Sequence, residues 1–255
     1  MNRLKGAMSS LLLSLRNSWR TFLRKRVVFP QVGRVNFGDF STTNPVGEVF
    51  GSNRGPAIDR YYIETFLNQY ADLIHDDVLE IAEDRYASRF GGAALRRVDT
   101  LGMPACETKT TIIGDLRGIP EIPDATYDCV ILTQTLQFIF EAESALREVC
   151  RILKPGGTAL ITVPSISPIS PSDRDLWGDY WRFTEQSMSG LLSRAFGKDS
   201  FRVSSYGNAY AATAFIQGLC IDDVDTAQLE HYDPIYPLVI VACSHKSEQM
   251  KERFG

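Results

Sequence analysis

The side chains able to do chemistry gather in three places. Three acids, Glu80, Asp99 and Asp115, stand where apolar runs give way to polar residues. A carboxylate at a strand end can accept hydrogen bonds from ligand hydroxyl or amino groups, although Asp is also common there because it suits turns. The stretch from Ser165 to Phe183, SISPISPSDRDLWGDYWRF, holds two of the three Trp together with Asp173, Arg174, Asp175, Asp179, Tyr180 and Arg182. Aromatic and charged groups crowded on one long loop suit substrate recognition or a lid. Trp177, Asp179, Tyr180 and Arg182 are its candidate substrate contacts. The plainer reading is that Trp177, Tyr180, Trp181 and Phe183 anchor the loop to the core. Among the histidines, His231 in LEHYDPIYP is the one expected to approach a cleft, where a neutral imidazole could act as a base. Its bland alternative is a turn residue.

The elements that must position these groups are legible from Tyr127 to Pro164. Cys129 to Leu132 is a short apolar run, as expected of a parallel strand covered on both faces. Ala142, Ala145, Leu146, Val149, Cys150 and Leu153 recur at helical spacing with charged residues between them. Lys154-Pro155-Gly156-Gly157 stops that helix, because Pro disfavours the α region for the residue before it and Gly tolerates the turn. Thr158 to Val163 is the next strand. Strand, crossover helix and strand make a βαβ unit, which predicts an α/β sheet protein.

Upstream, Tyr62 to Ile74 reads as an amphipathic helix leading into a strand over Asp77–Ile81. Leu95 to Val98 and Thr111 to Ile113 are short strands. Downstream, Met188 to Phe196 is a helix with Thr184 as N-cap and Gly197 as stop, and Phe201 to Tyr206 and Leu238 to Cys243 complete about seven strands. Residues 30–57, rich in Gly, Asn, Ser, Thr and Pro, read as a linker or an ordered loop. Residues 1–29 are basic and amphipathic, with Leu4, Met8, Leu11, Leu12, Leu15, Trp19, Phe22 and Leu23 roughly along one helical face. Such a segment suits peripheral contact with an anionic membrane surface or docking on a partner protein, or simply packing on its own domain.

Net charge separates the two parts. The first 38 residues carry eight Lys or Arg and no acid, so the −4 of the whole chain hides a body of 19 basic and 31 acidic residues. An acidic body argues against broad binding to nucleic-acid backbones. The five cysteines are scattered without a CxxC, and no His and carboxylate cluster has metal-ligand spacing, so no metal is expected. Cys129, Cys150 and Cys243 fall in core runs and read as buried thiols of a reducing, cytoplasmic compartment. No segment approaches the 18 or more apolar residues of a membrane span.

In order along the chain, VLEI, VD, GDL, YDCVILTQTLQFI, RILKPGG and TALITVP resemble a class I S-adenosylmethionine (SAM)-dependent methyltransferase of the broad small-molecule type, over roughly residues 58 to 243. RGPAIDRYYIETFL and WGDYWRFT are similar to a bacterial group met beside or fused to glycosyltransferases. The resemblance implies a Rossmann-like seven-stranded, mostly parallel sheet with helices on both faces, occupying residues 58–255, with ligands beyond the carboxyl ends of its strands. It implies that Glu80 faces the methionine end of SAM, and that Asp99, 19 positions on, accepts from the ribose hydroxyls. Asp115 would accept from the adenine amino group with Leu116 against the ring, and Thr133 and Gln134 would border the transferred methyl. The usual glycine-rich loop is absent: the chain reads Glu80-Ile-Ala-Glu-Asp-Arg-Tyr-Ala-Ser, where Ala82 replaces the first glycine at a steric cost. Gln137-Phe138 stands where a Glu-His pair is common.

The implied reaction is in-line methyl transfer to a small-molecule or glycan acceptor, with His231, Asp179 and Tyr180 as candidate bases for an oxygen acceptor. A non-catalytic module of the same fold, docking a partner such as a glycosyltransferase, is the alternative that the glycine-poor loop suggests. A nicotinamide-dependent oxidoreductase is disfavoured by the absence of GxGxxG.

Overall fold

The computed structural model describes residues 30–103 and 110–248. The chain divides into two units, residues 1–43 and 44–255. In the first, Gly38–Phe40 form one 3-10 turn. The expected helix within residues 1–29 lies outside the described residues, as does Cys106.

The larger unit opens with an ordered segment, 44–57, whose Ala57 bridges to Cys220 and whose Arg54 pairs with Asp223 at 2.7 Å. Helix α1 (Ile58–Gln69) follows, burying Ile58, Tyr62, Ile63, Phe66 and Leu67 along one face at the spacing of a helical stripe. Then come β1 (Asp76–Ile81), α2 (Arg85–Gly91), β2 (Leu95–Gly102), β3 (Ile112–Ile113), β4 (Tyr127–Thr133), α3 (Ala142–Ile152) and β5 (Leu153–Pro164). The chain closes with α4 (Pro171–Trp177), α5 (Glu185–Ala195), β6 (Phe201–Tyr206), α6 (Ala209–Ile216), α7 (Thr226–Leu229) and β7 (Val239–His245).

The strands form one sheet in the order β3-β2-β1-β4-β5-β7-β6. Pairing is parallel from β3 through β5, and β7 runs antiparallel to both β5 and β6. Alternation along each strand supplies two cores. Leu79, Val130, Leu132, Ala159 and Ile161 point to the side covered by α3 and α5, whereas Val78, Cys129, Ile131 and Leu160 meet α1, α2 and α6 on the other. Cys129, Cys150, Cys220 and Cys243 are buried and form no disulfide. Among the described residues no helix is long and apolar enough to cross a membrane.

Two local features differ from the sequence expectation. The strand expected from Thr158 begins at Leu153, with Gly156 at φ +80° and a register shift against β4 between Tyr127 and Cys129. Gly157 is required there: a Cβ would lie 2.9 Å from the Lys154 carbonyl and 3.1 Å from those of Tyr127 and Asp128. Strand β2 runs four residues beyond Val98, to Gly102, because Thr100 and Leu101 continue the parallel pairing with Glu80 and Ile81. Helix α5 starts as expected on Thr184, in a capping box with Ser187 that satisfies a backbone N–H at each residue.

Candidate functional site

The order of the central strands reverses between β1 and β4, so the connections leaving their carboxyl ends diverge to opposite sides and leave a crevice. A cavity of about 890 Å³ lies there. Its floor comes from strand ends: Glu80 and Ile81 from β1, Leu101 and Gly102 from β2, Thr133 from β4.

Glu80 is buried, and its carboxylate accepts from the backbone N–H groups of Tyr86 (3.1 Å) and Ala87 (2.7 Å) in the first turn of α2. Those donors have no partner within the helix, so the side chain caps it. Burial nevertheless dominates and pushes the Glu80 carboxyl up to about 7, with the two N–H bonds opposing. Two residues on, Ala82 takes φ +70°, in the left-handed region that a glycine would occupy at less cost, and its N–H is bonded to the Leu101 carbonyl at 2.8 Å. Gln134, leaving β4, is also left-handed at φ +47°, and its Nε2 is buried without a hydrogen-bond partner.

At the other end of the cavity Asp115 accepts from Arg117 through Nε (3.0 Å) and Nη2 (2.6 Å), and Arg117 also reaches Glu141 at 3.0 Å. Those hydrogen bonds hold the Asp115 carboxyl below its ordinary range. Leu116 lies beside it, and Tyr180, Trp177 and Phe140 wall the outer side. The Tyr180 ring meets Phe140 edge-on at 5.5 Å, and its backbone N–H donates to the Gln137 carbonyl at 2.8 Å.

The structure thus brings Glu80, Ala82, Asp115, Leu116, Thr133, Gln134, Trp177 and Tyr180 to one cavity. Asp99 does not line it. With β2 extended to Gly102, Asp99 sits within the strand, accepting from the Tyr127 hydroxyl at 2.8 Å and pairing with Arg97 at 3.3 Å. His231 is exposed and outside it; its carbonyl accepts from Asn208 Nδ2 at 2.6 Å, the turn role. Asp179 and Arg182 also miss the main cavity. They pair at 2.5 and 2.9 Å, and with the Ser170 N–H and the Ser167 and Pro168 carbonyls they tie the 165–183 loop to itself. Both line a smaller neighbouring cavity instead.

Sequence reasoning missed Arg60 and Tyr86, which line the main cavity with the Arg60 Nη1 donating to the Tyr86 hydroxyl at 3.2 Å. The available signal was the charged pair Asp59-Arg60 set between Ile58 and Tyr62 on the apolar face of a helix. Among the described residues no cluster of His, Cys, Asp and Glu could hold a metal ion.

Residues 90–161 match the family described as a methyltransferase domain, a span from α2 to β5 that includes the β4–α3–β5 unit. With the strand order and the cavity at the switch point, the likeness is to class I methyltransferase domains, which use SAM. Over 51 residues the chain is 43% identical to the ubiquinone/menaquinone biosynthesis C-methyltransferase of Citrobacter koseri; this covers 19% of the present chain and 20% of that protein. The chain therefore spans about a fifth of the length of the curated relatives it matches. Among solved structures it is similar to a SAM-dependent methyltransferase from Archaeoglobus fulgidus (12% identity, 73% of this chain and 94% of that one, TM-score 0.49). Another is a SAM-dependent methyltransferase from Thermotoga maritima (16% identity, 74% and 92%, TM-score 0.49).

The donor set fits that cofactor at two ends. Asp115 and Leu116 offer an acceptor and an apolar wall for a purine, and Glu80, Arg60 and Gln134 offer an anion, a cation and an unpaired N–H for an amino-acid group. The fit at the ribose would not come through Asp99.

Proposed function

We propose that the chain transfers the methyl group of SAM to a small-molecule acceptor, with a glycan as one such acceptor. The convergence of Glu80, Arg60 and Gln134 at the switch point, opposite Asp115 and Leu116, is the observation that carries this reading. When bound, SAM would supply an electrophilic methyl on a sulfonium. The protein's part is placement and exclusion of water, since the reaction needs no nucleophilic side chain. Arg60 gives one N–H to Tyr86 and keeps donors for a ligand carboxylate, while Glu80 answers a ligand ammonium. An ammonium beside Glu80 favours its ionised form, opposing the burial that now raises its carboxyl to about 7. Asp115, held anionic by Arg117, accepts from the adenine amino group with Leu116 on the ring. Phe140, Trp177 and Tyr180 wall the outer side of the cavity against water.

Titration calorimetry with SAM and S-adenosylhomocysteine tests this. Binding is expected, and Arg60→Ala and Asp115→Ala should each weaken it by about tenfold or more, the size of a hydrogen bond to a charged group. A folded sample showing neither heat of binding nor thermal stabilisation with either ligand overturns the reading and leaves the non-catalytic docking module.

A further inference from the structure

Beside the main cavity lies a smaller one of about 110 Å³ that shares Arg60, Gln134, Phe138 and Asp173 with it. Three of its lining side chains carry a buried polar atom with no hydrogen-bond partner: Asp59 Oδ1, Gln134 Nε2 and Gln137 Oε1. Each such atom costs about 1–3 kcal/mol if left unmade. The described residues have only three others, on Thr162, Gln217 and Ser244, and none of those residues lines this cavity. Half of the unpaired buried side-chain nitrogen and oxygen atoms among the described residues therefore belong to residues that line this one small space, which shares Gln134 and Arg60 with the proposed cofactor site.

The chemistry of the three atoms narrows the occupant. Gln137 Nε2 donates to the Gln134 carbonyl at 2.8 Å, which fixes the amide and leaves Oε1 as an acceptor. Asp59, when ionised, is a second acceptor. Gln134 and Arg60 are donors. The occupant must therefore both give and take hydrogen bonds. An ammonium has no lone pair for Gln134 and would face the Arg60 cation; a carboxylate or phosphate has no proton for Gln137 and would face Asp59. A hydroxyl meets all of these demands. The space is about an eighth of the main cavity, so it suits a hydroxyl and its nearest carbons rather than a whole large ligand. Phe50 and Phe215, stacked at 5.7 Å, and Val239 give it apolar walls suited to C–H groups.

We propose that this cavity seats the methyl acceptor as a hydroxyl on a polyol or sugar ring, and that Asp59 is the base for its O-methylation, a proposal that rests on the methyltransferase reading above. The hydroxyl oxygen forms its bond to the methyl carbon as the carbon–sulfur bond breaks and its electron pair returns to sulfur. The hydroxyl proton passes to Asp59 Oδ1 and from there to solvent. Burial raises the proton affinity of Asp59 above that of a surface carboxylate, against the Arg60 charge beside it.

The experiment uses the full chain. In crystals grown with S-adenosylhomocysteine and soaked in glycerol as the probe, a glycerol hydroxyl should lie within hydrogen-bond distance of Asp59 Oδ1 and Gln137 Oε1. Methyl transfer is then measured on glycerol and on the methyl glycosides of glucose and rhamnose, beside ethylamine and acetate as non-hydroxyl probes. Turnover is expected on a hydroxylated probe and should fall about 100-fold or more in Asp59→Asn and Asp59→Ala, the usual contribution of a base. Affinity for S-adenosylhomocysteine should stay within twofold. The proposal fails if the cavity holds only ordered water in the soaked wild-type complex, if ethylamine or acetate alone is methylated, or if Asp59→Ala retains turnover. Loss of S-adenosylhomocysteine binding by the wild type would overturn the methyltransferase reading itself, an outcome separable from these three.

Discussion

Glu80 should make the protein less stable as the solution is made less acidic. Its ordinary carboxyl value is 4.5, and burial raises it to about 7 in the folded chain. Below 4.5 both states hold the proton. Between 4.5 and 7 the unfolded chain has released it while the native chain still binds it, so stability falls as pH rises through that window and levels off above it. Each pH unit is worth about 1.4 kcal/mol, so the full loss is roughly 3 kcal/mol. Glu80→Gln removes the ionisation and keeps one acceptor for the N–H groups of Tyr86 and Ala87. Urea denaturation of both proteins across this range isolates the effect, because every other titrating group cancels in the difference. The variant should match the wild type within about 1 kcal/mol near pH 4.5 and exceed it by roughly 3 kcal/mol by pH 8, with both flat differences and a difference of opposite slope refuting the argument. Adding S-adenosylhomocysteine should shrink the wild-type slope, since an ammonium beside Glu80 lowers its proton affinity.

Two further substitutions probe the walls of the site. Asp179 has a side chain only 2% exposed; burial is the largest single influence and works against its charge, but the Arg182 hydrogen bonds, the Ser170 N–H and the Arg182 charge together outweigh it and hold the carboxyl below its ordinary range. Arg182→Ala should therefore cost about 3–5 kcal/mol in urea denaturation, and the double variant Asp179→Ala, Arg182→Ala should cost less than the single one, because no buried charge is then left alone. Ala82→Gly should leave thermal stability unchanged or raise it by up to about 1.5 kcal/mol: it relieves about 1–2 kcal/mol of left-handed strain and gives back about 0.4–1 kcal/mol to the freer unfolded chain. A clear loss of stability in this variant would show that the Ala82 methyl packs against something that outweighs the strain.

Periodicity made most of the fold legible. The apolar run at Cys129–Leu132 read as a strand covered on both faces, Val78–Ile81 and Leu238–Cys243 as further strands, and the helical spacing from Ala142 marked the crossover between β4 and β5, although Leu153, which shares that spacing, begins β5. Strand ends were less legible, because pairing sets them: the charged Arg96, Arg97 and Asp99 looked like the end of β2, yet Thr100 and Leu101 remain paired to β1. That difference of four residues moves Asp99 from the expected ribose position to a contact with Tyr127. In the 165–183 loop the sequence shows charged and aromatic residues but not their partners. Asp179 and Arg182 satisfy each other, so only Trp177 and Tyr180 of the candidates there remain to face the main cavity.

The glycine-poor turn after β1 shows why a missing motif need not mean a missing geometry. A glycine at position 82 would make the left-handed backbone cheap, but the turn can also be held from its ends. Here the Ala82 N–H is fixed on Leu101, and two residues earlier the Glu80 carboxylate grips two backbone donors of α2, so both flanks of the turn are pinned before the strained residue is reached. One carboxylate thereby closes the turn and presents its charge to the cavity. The two roles compete: the burial that lets Glu80 reach the helix also raises its affinity for a proton. A ligand cation is what would let it serve both roles as an anion. The wild-type slope, and not merely the stability of a variant, is therefore the quantity that S-adenosylhomocysteine should change.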